Sequence, residues 1–386
     1  MRVLFVDDEP NILNGVSRML LVESPDTDVE LAASGAEALG ILEAETVDVV
    51  VTDMRMPVMD GMQLLLKVRE RWPNIVRIVL TGETSHEKAV RMVPIAHQYL
   101  LKPCSGEELV GVIARTQAVL GRLEDANMRE LVGGLSALPS LPETYRKLNE
   151  ALDSPSTPPA RIAKIIESDP PIALKLLQLA NSAFFSRRVA INDVAGAVVQ
   201  MGVNTIRHVV LQLAAFQMGA KARPSVELHL RELQGRAMRV ANCASELVPS
   251  AAQRAHAFMA GLLCDIGQIV LATVQEERWA NVVANAHESA LPLEVVEREV
   301  LGASHAEVGA LLMGVWGLPH FAVESAACHH DADSLTSSKL DVVGAVCLAN
   351  LLVDSKKGDP GIWDHPNLRT IVDGYWNAIE KRGMGQ

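Results

Sequence analysis

No run of about 20 apolar residues, the length a membrane-spanning helix needs, stands out in this 386-residue chain. The first apolar stretch, Arg2 to Val6, stops at Asp7-Asp8-Glu9, so nothing there reads as a secretory leader. Cysteine is scarce. Cys104, Cys243, Cys264, Cys328 and Cys347 are scattered, odd in number and without any C-x-x-C spacing. That argues against a disulfide framework or a cysteine-built zinc module and for reduced thiols in a reducing compartment. The protein is therefore expected to be soluble and cytoplasmic, with no membrane partner. Positive charge is short too: the formal net charge is −12. Residues 1–120 carry 11 Lys and Arg against 18 Asp and Glu (−7), and the remainder carries 24 against 29 (−5). Neither part has the basic excess that neutralises phosphates on nucleic acid, and no helix-turn-helix is recognisable, so DNA is not an expected partner. There is no internal repeat and no low-complexity tract. What is present is 49% hydrophobic content in a chain long enough for two or three domains.

The first 120 residues alternate short apolar runs with helix-period stretches. The runs are Val3–Val6, Val47–Thr52, Ile75–Thr81 and Gln98–Leu101, with a weaker one near Val29–Ala32. Continuous apolar strands separated by helices imply a parallel sheet covered on both faces, with its chemistry at the carboxyl ends of the strands. Beyond residue 130 the period-2 pattern fades. Proline clusters punctuate stripes such as Ile162, Ile165, Ile166 and Leu262, Ile266, Ile269, so this part is expected to be all-helical. Residues 106–131 read as one long helix carrying Leu109, Ile113, Thr116, Leu120 and Leu123 at heptad-like spacing.

Asp7 and Asp8 follow the first strand, Asp53 closes the third, Thr81 ends the fourth, and Lys102 follows the fifth. A parallel sheet gathers these at one edge. Three carboxylates there repel one another unless a hard cation such as Mg²⁺ sits among them. A carboxylate nucleophile beside that ion can form an acyl phosphate, with the lysine charge and the threonine hydroxyl facing the phosphoryl oxygens. The segments Val3-Leu-Phe-Val-Asp-Asp-Glu-Pro, Val51-Thr-Asp-Met-Arg-Met-Pro-Val-Met-Asp-Gly61, Val79-Leu-Thr-Gly-Glu and Tyr99-Leu-Leu-Lys-Pro103 strongly resemble the receiver domain of two-component response regulators. The resemblance implies a flavodoxin-like, doubly wound, five-stranded domain over 1–118. It implies phosphorylation of Asp53 by a sensor histidine kinase or phosphotransfer protein, and Mg²⁺ held by Asp7, Asp8, Asp53 and the Arg55 carbonyl. Thr81 and Lys102 match the switch hydroxyl and the lysine, and Tyr99 the aromatic that turns inward on activation.

Downstream, Leu138-Pro-Ser-Leu-Pro142, Ile165-Ile-Glu-Ser-Asp-Pro170, Leu176-Leu-Gln-Leu-Ala-Asn-Ser-Ala183, Ala260-Gly-Leu-Leu-Cys-Asp-Ile-Gly267, Gly302-Ala-Ser-His-Ala-Glu-Val-Gly309 and Trp316-Gly-Leu-Pro, ending at His329-His330, resemble the HDOD family. That family looks like an inactive relative of the HD metal phosphohydrolases. The resemblance implies an all-helical domain over 131–332, reached through a helical linker over 119–130 and followed by a helical extension over 333–386. HD hydrolases hold metal through a first His, an adjacent His-Asp pair and further ligands. Here Arg236 stands for the first His, and Cys264 precedes Asp265 where the paired His belongs. A guanidinium has no lone pair to give, so this degenerate site is not expected to hold metal. Asp265 is expected to tie down a neighbouring helix end, with His305, His329 and His330 as remnants or packing residues. His256, His287 and Trp316 are given packing roles only. The expected function is a phosphorelay regulator whose non-catalytic output binds a protein or ligand. The alternative is a receiver-controlled HD-type cyclic-dinucleotide phosphodiesterase, against which the missing Gly-Tyr-Pro loop also counts. The 106–131 helix is expected to carry the signal, either by pairing two copies as a homodimer or by docking on the chain's own bundle.

Overall fold

The computed structural model describes the chain except at residues 25–26, 83–94, 122–125, 134, 136–137, 139–141, 154–156, 183–184, 186–190, 208, 211–223, 290, 332–339, 354, 356–371 and 374–386. Strands β1 (Arg2–Val6), β2 (Asp28–Ala32), β3 (Val49–Asp53), β4 (Val76–Thr81) and β5 (Gln98–Leu101) form one parallel sheet ordered β2-β1-β3-β4-β5. This is the flavodoxin-like order, with its switch point between β1 and β3. The central strands are buried from end to end, β3 and β4 at every residue, which explains their unbroken aliphatic sequences. Helices α1 (Pro10–Glu23), α2 (Gly35–Ala44), α3 (Gly61–Arg71) and α4 (Gly106–Leu120) cover it, α1 beside α4 and α2 beside α3. Their starts are fixed by local chemistry. Ser34 and Ser105 accept backbone N–H bonds from Glu37 and Glu108, and Asp60 and Gln63 form a reciprocal capping box.

The long helix expected over 106–131 is instead two: α4 stops at Leu120, and α5 spans Ala126–Gly133. Gly121 caps α4 through its N–H to the Gln117 carbonyl. A glycine at that point favours an end over continuation. Leu123 lies outside the described residues, as does the helix expected near 366–380 apart from Val372 and Asp373, which are helical.

The remaining described elements are helical, as the periodicity predicts: α6 (Pro142–Asp153), α7 (Pro159–Glu167), α8 (Pro170–Ala180), α9 (Val194–Met201), α10 (Pro224–Leu247), α11 (Ala251–Leu263), α12 (Ile266–Val274), α13 (Glu276–Ser289), α14 (Leu293–Leu301), α15 (His305–Val315), α16 (His320–Cys328) and α17 (Val342–Val353). Helix α8 is buried at every position and ends at Asn181, whose amide brackets the Ile191 backbone. Among the described residues one stretch, Gln253–Val274, is long and apolar enough to cross a membrane; 83% of its most apolar window is buried inside the bundle, and it turns at Cys264-Asp265.

Candidate functional site

The carboxyl edge of the sheet assembles the acidic pocket. Register pairs Val6 with Thr52, Asp53 with Leu80 and Thr81 with Leu101, which brings the strand ends level. Asp7 and Asp53 are buried, at 3% and 8% exposure, while Asp8 is exposed. Lys102 Nζ bridges the two, 2.7 Å from Asp7 Oδ2 and 2.6 Å from Asp53 Oδ1. The other oxygen of Asp53 accepts the Arg55 N–H at 2.8 Å, and Asp7 Oδ1 accepts the Glu9 N–H at 2.9 Å. The Lys102 pKa is raised: burial opposes its charge, but Asp53 and Asp7 outweigh it. Thr81 is fully buried at the next strand end. One strand further, Tyr99 is buried with its hydroxyl donating to the Ala96 carbonyl at 3.1 Å.

The β5 side of this domain is joined to the helical bundle. Gln98 Nε2 donates to the Val315 carbonyl at 3.1 Å, and Gln178 Nε2 donates to the His97 carbonyl at 3.0 Å. Arg77, 1% exposed on β4, donates to the Ile75, Ile95 and Gly133 carbonyls at 3.0, 2.8 and 3.1 Å. The α4 stripe packs on α15, so closely at Gly314 that a Cβ there would stand 2.4 Å from a Val119 methyl. Of the two expected roles for this helix, docking on the chain's own bundle is the one the structure displays. A cavity of about 290 Å³ remains in the seam, lined by Tyr99, Arg115, Gln178, Asn181 and Trp316 among others. Trp316 does more than fill space: the buried Lys175 ammonium lies 4.3 Å from the centre of its indole ring.

The second polar centre lies within the bundle. Asp265 reaches the ends of two neighbouring helices, His305 at the start of α15 and His329 just past the end of α16, but does not cap the backbone of α12. Its carboxylate pairs instead with Arg236 and accepts from the Gln268 side chain at 2.9 Å. Arg236 also donates to Asn350 Oδ1 at 2.7 Å. Cys264 is fully buried and its thiol points back to the Gly261 carbonyl; burial, then Asp265, pushes its pKa well above the ordinary value. Burial also works against the charge of Asp265, yet Arg236, His305 and His329 hold its carboxyl well below the usual range. His305 and His329 are completely buried, each with Nε2 3.5 Å from Asp265 Oδ1. His305 pKa is raised to about 9, because Glu297 and Asp265 outweigh its burial, while burial and the neighbouring His329 and His305 lower His330 to about 2.

Sequence reasoning read these three histidines as remnants or packing residues and did not consider Glu297, although a signal for the histidines existed. Ser304 and Glu307 form a capping box that starts α15 at His305, and the adjacent His329-His330 pair ends α16. No sequence signal marked Arg77, Gln98 or Lys175 as residues of the seam.

The HDOD domain model matches residues 138–332, half of the chain, and the response regulator receiver domain model matches residues 3–114. The chain belongs to the HDOD family and carries an N-terminal receiver domain, which makes it a response regulator of the two-component class. An uncharacterized protein of Treponema pallidum is 23% identical over 225 residues, covering 58% of this chain and 43% of that protein. The hydrogenase transcriptional regulatory protein HoxA of Cupriavidus necator is 35% identical over 131 residues, covering 33% of this chain and 27% of that protein. Thus the chain spans less than half the length of these curated relatives. The MmoQ response regulator structure from Methylococcus capsulatus aligns over 61% of this chain and 98% of its own, at 19% identity and a TM-score of 0.48.

Proposed function

We propose that the chain is a cytoplasmic phosphorelay regulator in which Asp53 takes a phosphoryl group from a histidine kinase or phosphotransfer protein and a non-catalytic output domain over 131–332 reads the change. The observation that carries this reading is the Asp53 carboxylate at the end of the central strand, tied through Lys102 to Asp7. Attack by an Asp53 oxygen on the phosphorus of a phosphohistidine forms the O–P bond as the P–N bond breaks, and the imidazole leaves with the electron pair. Lys102, now paired with both carboxylates, then turns its charge to the phosphoryl oxygens. Receiver domains generally bind Mg²⁺, and the donor set here fits it: three carboxylates and the Arg55 carbonyl, all oxygen, with Asp7, Asp8 and Asp53 as the holding side chains. When bound, the ion neutralises the charge of the incoming group. Incubation with a small phosphodonor and Mg²⁺ is expected to label the wild type and leave Asp53→Asn unlabelled. Equal labelling of that variant at another aspartate overturns the assignment.

The seam supports a route for the signal. Thr81 shares β4 with Arg77, and Tyr99 follows Gln98 on β5, so rearrangement at the pocket reaches residues that hold the bundle. Phosphorylation is expected to loosen the α4–α15 contact and free that face for another copy or a partner. Only a few kcal/mol separates two such populations. Val119→Glu buries a charge in the seam and is expected to mimic the loosened form, so both it and beryllofluoride should increase the interdomain distance measured by fluorescence transfer. If neither does, the seam is a rigid joint.

A further inference from the structure

The buried centre of the output bundle has more ligand atoms than its ion pair uses. Asp265, His305, His329 and His330 each offer one ligand atom, and all four lie within 4.8 Å of one another. In a tetrahedral shell with bonds of about 2.0–2.1 Å, ligand atoms stand roughly 3.3–3.4 Å apart. Here Asp265 Oδ1 is 3.5 Å from both His305 Nε2 and His329 Nε2. His305 Nε2 is 3.2 Å from His329 Nε2 and 2.9 Å from His330 Nε2. These separations already approach the edges of such a shell.

The surrounding groups orient the rings toward that point. His329 Nδ1 is 2.7 Å from the Ala326 carbonyl, and His305 Nδ1 is 2.6 Å from Glu297 Oε2. Each ring therefore commits Nδ1 to a fixed acceptor and turns Nε2 to the centre, the arrangement in which carboxylate and carbonyl partners support metal-bound imidazoles. Glu297 is itself wholly buried, and its second oxygen, Oε1, has no hydrogen-bond partner. A buried carboxylate of that kind is stabilised by positive charge beyond the histidine it orients.

We propose that Asp265, His305, His329 and His330 bind a single divalent transition-metal ion of the zinc class in a closed, non-hydrolytic site. Three imidazoles and one carboxylate suit zinc, cobalt or nickel over a hard ion such as Mg²⁺. Four protein ligands fill a tetrahedral shell, whereas catalytic zinc sites keep a position for water. Arg236 occupies the far oxygen of Asp265 and joins it to Asn350 on α17, so the ion adds to a cross-link that already reaches the last described long helix. The expectation of no metal in this half rested on Arg236 and Cys264. Neither is needed, because the ligands come from the end of α11, the start of α15 and the end of α16.

The test uses the full-length chain, stripped with chelator and refilled with Zn²⁺ or Co²⁺ in excess Mg²⁺, which keeps the acidic pocket saturated with the hard ion. Elemental analysis after desalting is expected to give one zinc per chain, and the cobalt form to show the visible bands of a four-coordinate site without thiolate charge transfer. His305→Gln and His330→Gln are expected to lose the metal while keeping helical circular dichroism; His330 is partly exposed, so its variant stands if the other fails to fold. Cys264→Ser is expected to retain full stoichiometry. Zinc absent from the folded wild type, stoichiometry unchanged in folded His330→Gln, or a thiolate band lost with Cys264→Ser each overturns the assignment.

Discussion

Replacing Gly267 with alanine is expected to destabilise the output domain strongly, by about 3 kcal/mol or more. Gly267 lies in the first turn of α12, where that helix crosses the start of α15. A Cβ there would stand 1.9 Å from the His305 carbonyl oxygen and 2.8 Å from the Gly309 nitrogen. Both neighbours are backbone, so no side chain can swing away and two helices must separate. Overpacking a core costs about 1–3 kcal/mol when side chains can yield, and here about 3 kcal/mol or more is expected. For a domain the size of residues 138–332 that lowers the melting temperature by roughly 6–12 °C. A melting temperature within about 1 °C of wild type would show that the crossing is looser than described. The same close approach sets Asp265 beside His305, so the variant is also expected to disturb the buried polar centre.

The second large effect concerns Lys175. It is 2% exposed in the middle of α8, and burial, then the charge of Arg77, lowers its pKa from 10.5 to about 7. Between those values the unfolded chain holds a proton that the folded chain releases. Stability therefore rises with pH across that window and is flat below it, where both states are protonated. Lys175→Met keeps the length of the side chain and removes the charge. It is expected to raise the melting temperature at pH 7 by several degrees, with the gain shrinking as pH climbs toward about 10. A constant gap across that range would mean that the ammonium stays charged over the Trp316 ring. Because Arg77 holds the seam through Gly133, its repulsion with a charged Lys175 is expected to make interdomain contact sensitive to pH near neutrality.

The receiver fold was legible because each of its strands carries its own apolar run and the functional residues follow those runs directly. Asp7, Asp53 and Lys102 needed only a parallel sheet to meet, with Thr81 ending the adjacent strand. The output domain was legible as helical but not as a site. Its ligand atoms come from helix ends 40 and 24 residues apart in sequence (305 − 265 and 329 − 305), and no local period encodes which ends converge. The sequence names the three imidazoles but not their convergence, so they read as remnants or packing residues beside Arg236 and Cys264. The helix over 106–131 failed for a simpler reason: heptad-like spacing continues through a break when both pieces pack on the same bundle. Gly121 was the only local sign of the stop.

Arg77 bears on how interchangeable such regulators are. Its guanidinium donates to carbonyls of the receiver and to that of Gly133, while Gln98 and Gln178 hold the same seam from opposite sides. A foreign receiver grafted at the linker would arrive without matching donors, and the bundle-side carbonyls of Gly133 and Val315 would lose or change partners, as would the Gln178 amide. Chimaeras of this protein are therefore better cut so that residues 75–101 travel with the helices they meet, and kinase-facing and output-facing surfaces are inherited together as one cassette.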